Sequence, residues 1–257
     1  MSLRPLPTTL LTLVLATMAC GALYAADSKN VDRAVPLASR GSVLLESHNG
    51  SIRIHTWDRA DIEIHARIEQ EGSSTEDRRR FDETTVEIES GSDSVRIKSK
   101  HPSWNWRGSN GNNPQVHYTI TAPRTARLRI SDHNSRIDIR DLDAPLHIET
   151  HNSSVRVLAL SGPLTLNTHN GDAHVEFASF TGPSSVEMHN GSAELTMPSS
   201  SKFELRSNSH KGGVHSDFPM VTRTMGRHPN NVEGTVNGGG PALRLSSHNG
   251  SFQLRVK

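Results

Sequence analysis

The stretches LHIETHNSSVRV (Leu146–Val157) and LTLNTHNGDAHV (Leu164–Val175) decide the fold, because they are one pattern written twice at a spacing of 18 residues. Apolar residues alternate with polar ones, a His-Asn-Ser or His-Asn-Gly corner interrupts, and the alternation resumes. Period-two alternation marks a β-strand with one buried face, so each unit reads as strand, corner, strand. The same corner stands at His48-Asn49-Gly50, His133-Asn134-Ser135, His151-Asn152-Ser153, His169-Asn170-Gly171, His189-Asn190-Gly191 and His248-Asn249-Gly250, and the central steps are 18, 18 and 20 residues.

Counting from each His, positions five and three before it are mostly apolar, as in Leu128/Ile130, Leu146/Ile148 and Leu243/Leu245. Positions four and six after it repeat the theme, as in Ile52/Ile54, Val155/Val157 and Phe252/Leu254. The His therefore falls on the outward parity, together with Glu46, Glu149 and Glu187 two positions earlier. Two degenerate copies are expected, one at Phe203–Asn208 with Asn in place of His, and one at Glu87–Ile97 lacking His.

Two architectures satisfy this pattern. In a β-solenoid, a parallel β-helix-like stack, each unit is one coil and equivalent strands lie about 4.8 Å apart. In an antiparallel meander or sandwich, each Asn-Gly is a two-residue hairpin turn, which wants positive φ at both central residues. Ser135 and Ser153 weigh against the hairpin, and near-identical corners are best explained by stacking on one another. The expected fold is all-β, with the solenoid preferred and Asn and Gly expected to supply a positive φ at the corner.

Working outward, residues 1–26 read as a signal peptide: Arg4 precedes the apolar run Leu10–Ala19, and the longer run Leu10–Ala26, broken by Thr12 and Thr17, is a little short to span a bilayer. Cys20 raises a lipid anchor, although Thr17 stands where a lipobox wants an aliphatic residue. The chain is thus expected to be exported, to the periplasm, cell surface or medium, with no membrane span. Residues 27–257 are expected to form a single β-repeat domain: less regular over 31–124, regular over 125–215, a loop excursion at 217–241 and a terminal repeat at 242–257. Within the first part, Asp61–Glu69 reads as an extra strand, and Ser73–Glu83 as a short helix capped by Ser74 or Thr75 whose Arg78-Arg79-Arg80 run faces solvent.

Of 28 Lys and Arg only Arg4 precedes residue 27, leaving 27 to balance 27 Asp and Glu. That neutrality argues against nucleic acid as a partner. Enzyme signatures are absent: there is no Gly-x-Ser-x-Gly elbow, His-Glu-x-x-His or phosphate loop, and Asp132 and His133 are strand neighbours pointing to opposite faces. The Asn-x-Ser sequons at Asn49, Asn152, Asn190 and Asn249 follow from the corner, and no glycosylation is inferred.

With these pieces in place, the chain resembles the bacterial putative adhesins, a domain of unknown function built of β-strand repeats. The resemblance is carried by Val116–Pro123 (VHYTITAP) leading into Leu128–Asn134, by the central repeats, and by Gly238–Ser251 (GGGPALRLSSHNGS). It implies a stacked β fold on the cell envelope with no established activity. The repeated His before the corner departs from that family's usual Ser- or Val-containing corner.

These observations point to a non-catalytic envelope scaffold presenting a polar face to an envelope protein or glycan. Its rival is a periplasmic divalent-metal-binding protein in which His133, His151, His169 and His189 form a column that could converge on Zn²⁺, Cu²⁺ or Ni²⁺. A third possibility is a glycan-active β-helix enzyme. Trp104 and Trp106, in a loop rich in Pro, Ser, Gly and Asn, are a further candidate binding platform.

Overall fold

Alternating residues that bury one face need a second sheet to bury it against. The computed structural model, which describes residues 27–102, 111–224 and 230–257, supplies it: the described residues are all-β but for one helix, with an 11-stranded and a 10-stranded mixed sheet. The strand leading into each corner lies in the first sheet and the strand leaving it in the second. The hairpin alternative therefore does not hold at the corners, since Leu146–Asn152 pairs in parallel with Leu164–Asn170, and Ser154–Leu160 with Ala173–Phe177.

Each unit is one rung, named here by its histidine. In spatial order the rungs are His101 (Ser94–Lys100 and Gln115–Pro123), His48 (Ser42–Glu46 and Asn49–Trp57), His133 (Arg127–Ser131 and Asn134–Arg140), His151 (Leu146–Asn152 and Ser154–Leu160), His169 (Leu164–Asn170 and Ala173–Phe177), His189 (Ser184–Asn190 and Ala193–Met197), His248 (Ala242–Asn249 and Phe252–Val256) and His210 (Phe203–Lys211 and Val214–Ser216). Neighbouring rungs pair in parallel and in register, so Leu128, Leu146 and Leu164 form one row and Ile137, Val155 and Ala173 another. These rows are almost wholly buried between the sheets and form the core.

Spatial order departs from chain order at both ends. The His48 rung lies between the later His101 rung and the His133 rung, and the C-terminal His248 rung lies between the His189 and His210 rungs. Two copies expected from sequence are corrected by this register. Lys211 pairs with Asn249, so His210, not Asn208, occupies the corner. Thr85–Ser90 and Ser94–Lys100 form an antiparallel hairpin, so Glu87–Ile97 is no unit, and only its second strand joins the stack.

Antiparallel strands finish both ends. Ser28–Pro36 pairs with Asp61–Glu69, which pairs with Gln115–Pro123. At the other end the expected loop excursion contains a hairpin, Met220–Thr224 with Val232–Val236, which extends the first sheet beyond the His210 rung.

The helix is Thr75–Glu83, and Ser74 caps it as the sequence indicates: the Ser74 hydroxyl accepts from the Asp77 amide (3.0 Å) and the Asp77 carboxylate accepts from the Ser74 amide (2.8 Å). Its arginines divide. Arg78 is exposed and Arg79 half-buried, both in ion pairs, whereas Arg80 is buried, with its guanidinium on Asn113, which corrects the reading of all three as a solvated face. Helical periodicity turns Arg80 toward the same side as buried Phe81 and Asp77.

Candidate functional site

Parallel in-register stacking places equivalent side chains about one strand spacing apart, and at the corner it aligns two columns. The first is made of imidazoles. His48 to His133 is 4.9 Å between ring centroids, His133 to His151 5.1 Å, His151 to His169 4.7 Å, His169 to His189 4.5 Å and His189 to His248 4.9 Å. His210 continues it beyond His248 at 4.9 Å, and His101 beyond His48 at 5.6 Å. The four candidate residues His133, His151, His169 and His189 thus stand together, inside a column twice as long as the sequence indicated.

The second column is made of amides. Asn134 Nδ2 donates to Asn49 Oδ1 (2.9 Å), Asn152 to Asn134 (2.8 Å), Asn170 to Asn152 (2.7 Å), Asn190 to Asn170 (2.7 Å) and Asn249 to Asn190 (2.9 Å). All five bonds run in one direction, so their dipoles add along the stack.

In the five corners from His48 to His189 the backbone solves its geometry in two ways, while Gly250 in the His248 corner does not take positive φ. Gly50, Gly171 and Gly191 take φ of 128°, 129° and 118°. A Cβ on Gly171 would lie 2.0 Å from the Ser153 carbonyl oxygen, and one on Gly191 2.1 Å from that of Gly171. Ser135 and Ser153 do not take positive φ, and neither do the corner asparagines, whose part is the amide ladder alone. The serines instead turn inward onto buried Asp132, whose carboxylate accepts from the Ser135 amide (2.8 Å), the Ser135 hydroxyl (2.6 Å) and the Ser153 hydroxyl (2.9 Å). Sequence reading missed this inner polar row. Its signal is the inward parity of Asp132, Thr150, Thr168 and Ser247, each one position before the corner histidine and buried.

Orientation separates the two halves of the imidazole column. The His133–His151 and His151–His169 pairs are nearly parallel at 11° and 9°, while His169–His189 and His189–His248 are tilted by 40° and 43°. Two imidazoles on one metal ion, each about 2.0–2.1 Å from it, bring their ligating nitrogens to within about 4.2 Å of each other. The parallel pairs must leave their stack to do so, and the tilted pairs less. Among the described residues, no group of three or more His, Cys, Asp and Glu is arranged to hold a metal.

At one end of the column two imidazoles are pushed below their ordinary value. Burial, followed by the charges of His48 and Arg80, pushes the His101 imidazole down to about 4. His48 is lowered by burial and by His133, against an opposing pull from Asp132. Beside the column, Glu46 is engaged by Lys98 (2.9 Å) and Arg96 (2.9 Å), and Glu149 by His147 (2.7 Å) and Arg129 (3.0 Å). Glu187 lines a shallow groove with His169, His189 and His248 and has no ion-pair partner among the described residues.

A second constellation lies on the outer face of the second sheet. Ser51 Oγ is 2.9 Å from His117 Nδ1, and His117 Nε2 is 3.3 Å from Glu69. It has the order of a nucleophile, a base and a carboxylate. Ser51, however, sits on a strand paired on both sides, so the neighbouring amides are committed to the sheet and do not form an oxyanion hole. Trp104 and Trp106 lie outside the described residues, as do residues 1–26 with Cys20.

Comparison with known proteins places the repeats. Residues 138–255 match the family model described as Toastrack DUF4097. No curated protein matches. Among solved structures, a putative cell adhesion protein from Clostridium sporogenes is 11% identical and aligns over 89% of this chain and 100% of its own, with a TM-score of 0.50. A putative adhesin from Bacteroides fragilis (12% identical, 88% and 97% covered) and a putative lipid binding protein from Parabacteroides distasonis (11% identical, 89% and 98% covered) align with TM-scores of 0.30 and 0.27. The Clostridium likeness is one of fold.

Proposed function

We propose that this chain, matched over residues 138–255 by the Toastrack DUF4097 family model, is a non-catalytic exported scaffold, a two-sheet β-solenoid whose ladder edge docks an envelope protein or glycan. The observation that carries this reading is the continuity of the imidazole column. His101, His48, His248 and His210 enter it from rungs that are out of chain order, yet no ring is skipped. A row of identical donor and acceptor groups at a constant spacing suits a partner that is itself repetitive, because weak contacts then add along one line. Among the described residues no helix is long and apolar enough to cross a membrane.

The test is binding of the exported protein to a glycan array and to isolated envelopes, beside a variant with His133, His151, His169 and His189 all changed to Gln. The reading expects saturable binding that falls at least tenfold in a variant with unchanged circular dichroism. Equal binding by both proteins would remove the ladder edge from the function.

The 4.5 Å approach of His169 and His189 at 40°, with Glu187 beside them, favours a second reading, divalent-metal capture by the column. A ligand held only by the folded state stabilises it by about 2.7 kcal/mol at a hundredfold excess over Kd. Zn²⁺, Cu²⁺ or Ni²⁺ should then raise the melting temperature and Mg²⁺ should not, with the rise lost in His169→Ala/His189→Ala. Equal melting with and without the soft cations would dismiss it.

A further inference from the structure

The outer face of the second sheet carries a groove of about 700 Å³ between the strands Ser28–Pro36 and Asn134–Arg140. Its size is that of a small-ligand site. Strand register explains its composition. One row runs Asn30, Arg67, His117, Ser51, Arg136 across five strands, and the next runs Asp32, His65, Thr119, Arg53, Asp138, the last of these engaged by Arg140 (2.9 Å). All share the outward parity, so two rows of polar side chains stand side by side.

Most charges in these rows are already satisfied. Arg67 pairs with Glu69 (2.8 Å), and Asp32 with His65 (2.7 Å). His117 stands between Glu69 (3.3 Å from Nε2) and the Ser51 hydroxyl (2.9 Å from Nδ1), and a hydroxyl oxygen with two lone pairs can also accept from a ligand. Arg53 and Arg136 are the exceptions: neither has a carboxylate partner among the described residues, and both line the groove. They lie on adjacent strands, offset by two residues, close enough for long side chains to meet on one group.

We infer that this groove is a binding site for an acidic sugar unit of a glycan, with the uronate carboxylate held between Arg53 and Arg136. A planar carboxylate matches the guanidinium fork. Asp32 and Glu69 stand in the same groove; they repel a doubly charged phosphate more than a single carboxylate, and they accept hydroxyl donors, as does Ser51. The sugar unit seated in the groove is therefore singly anionic and rich in hydroxyls. The site is distinct from the ladder edge and does not depend on the column's role.

The experiment titrates tetragalacturonate into the full exported protein, followed by calorimetry and by amide chemical shifts. Saturable binding is expected, with shifts centred on Ser51, Arg53, His117 and Arg136. Arg53→Gln and Arg136→Gln should each weaken it about tenfold, and Arg136→Lys less, since a lysine keeps the charge without the fork. Arg156→Gln, on the same face but outside the groove, should leave it unchanged, and unaltered melting of all four variants shows that the fold is kept. Neutral galactotetraose should bind far more weakly, and inorganic phosphate should not compete at equal concentration. Equal binding of the neutral sugar, competition by phosphate, indifference to the arginine changes, or no saturation by about 10 mM would each overturn the proposal. Loss of the ladder histidines should not affect this titration, so its outcome is separable from that of the docking test.

Discussion

The middle rungs and the end rungs share one corner but are assembled differently. From His133 to His189 chain order is spatial order, and each rung finds its partner 18 to 20 residues away. At the ends a rung is inserted between strands that come later or much earlier in the chain, and antiparallel strands then cover three of the four sheet edges, the fourth being the three-residue strand Val214–Ser216. The middle is held by repetition. The ends are held by insertion, which stops the stack from growing and leaves no long parallel edge open.

Removal of the inserted rung is the harshest test of that contrast. A chain ending at Pro241 deprives both the His189 and the His210 rungs of their parallel partner. It should show no cooperative thermal transition by circular dichroism; a melt within a few degrees of the intact protein would mean that insertion matters little.

Next in size is the difference between the two kinds of corner. Gly191→Ala forces a side chain into a positive-φ backbone against a carbonyl oxygen and should cost about 2–4 kcal/mol. Ser153→Ala removes a hydroxyl from the Asp132 network and should cost about 1–2 kcal/mol. Urea midpoints in the reverse order would refute the assignment of backbone strain to one corner and hydrogen bonding to the other.

The amide ladder should be worth less per residue. Asn152→Ala interrupts the chain of side-chain bonds and leaves two partners with one fewer contact, a loss of about 1–2 kcal/mol. Asn112, exposed and outside the repeats, is the matching control, and its change to Ala should be nearly silent. Agreement of the two midpoints would show the ladder to be decoration.

At neutral pH the least visible effect is a pH slope at one end, which develops only on acidification. His101 is lowered to about 4 in the folded chain, from an ordinary value of about 6.5. Between those values the unfolded chain binds the proton more readily, so stability is full above about pH 6.5 and falls as pH drops toward 4. His101→Gln should flatten that part of the curve, while the same change at exposed His215 should not; denaturant midpoints at several pH values distinguish them. Parallel curves for wild type and His101→Gln would remove burial of this ring from the acid response.

Alternation and the repeated corner made the strands, their buried faces and the position of the imidazoles legible, because side-chain parity in a strand depends only on counting residues. Helix capping was equally legible, since Ser74 and Asp77 act on the backbone beside them. The corner also revealed His133, His151, His169 and His189 as neighbours. His210 was missed because its rung keeps the parity of Phe203 and Leu205 and the corner Gly212 but has Lys211 in place of the Asn, so counting from Asn208 put it out of register by two.

Other features are set by which strand lies beside which, and that depends on contacts between residues far apart in the chain. Arg53 and Arg136 become neighbours only because the His48 rung is inserted beside the His133 rung, and Ser51 meets His117 only because the strand at Gln115–Pro123 returns to its other side. The same holds for the full length of the imidazole column. The sequence by itself determined the rung; tertiary packing decided the order of the rungs, because a rung carries the same apolar face and the same hydrogen-bonding edges wherever it is placed, and only closure of the two ends distinguishes one order from another.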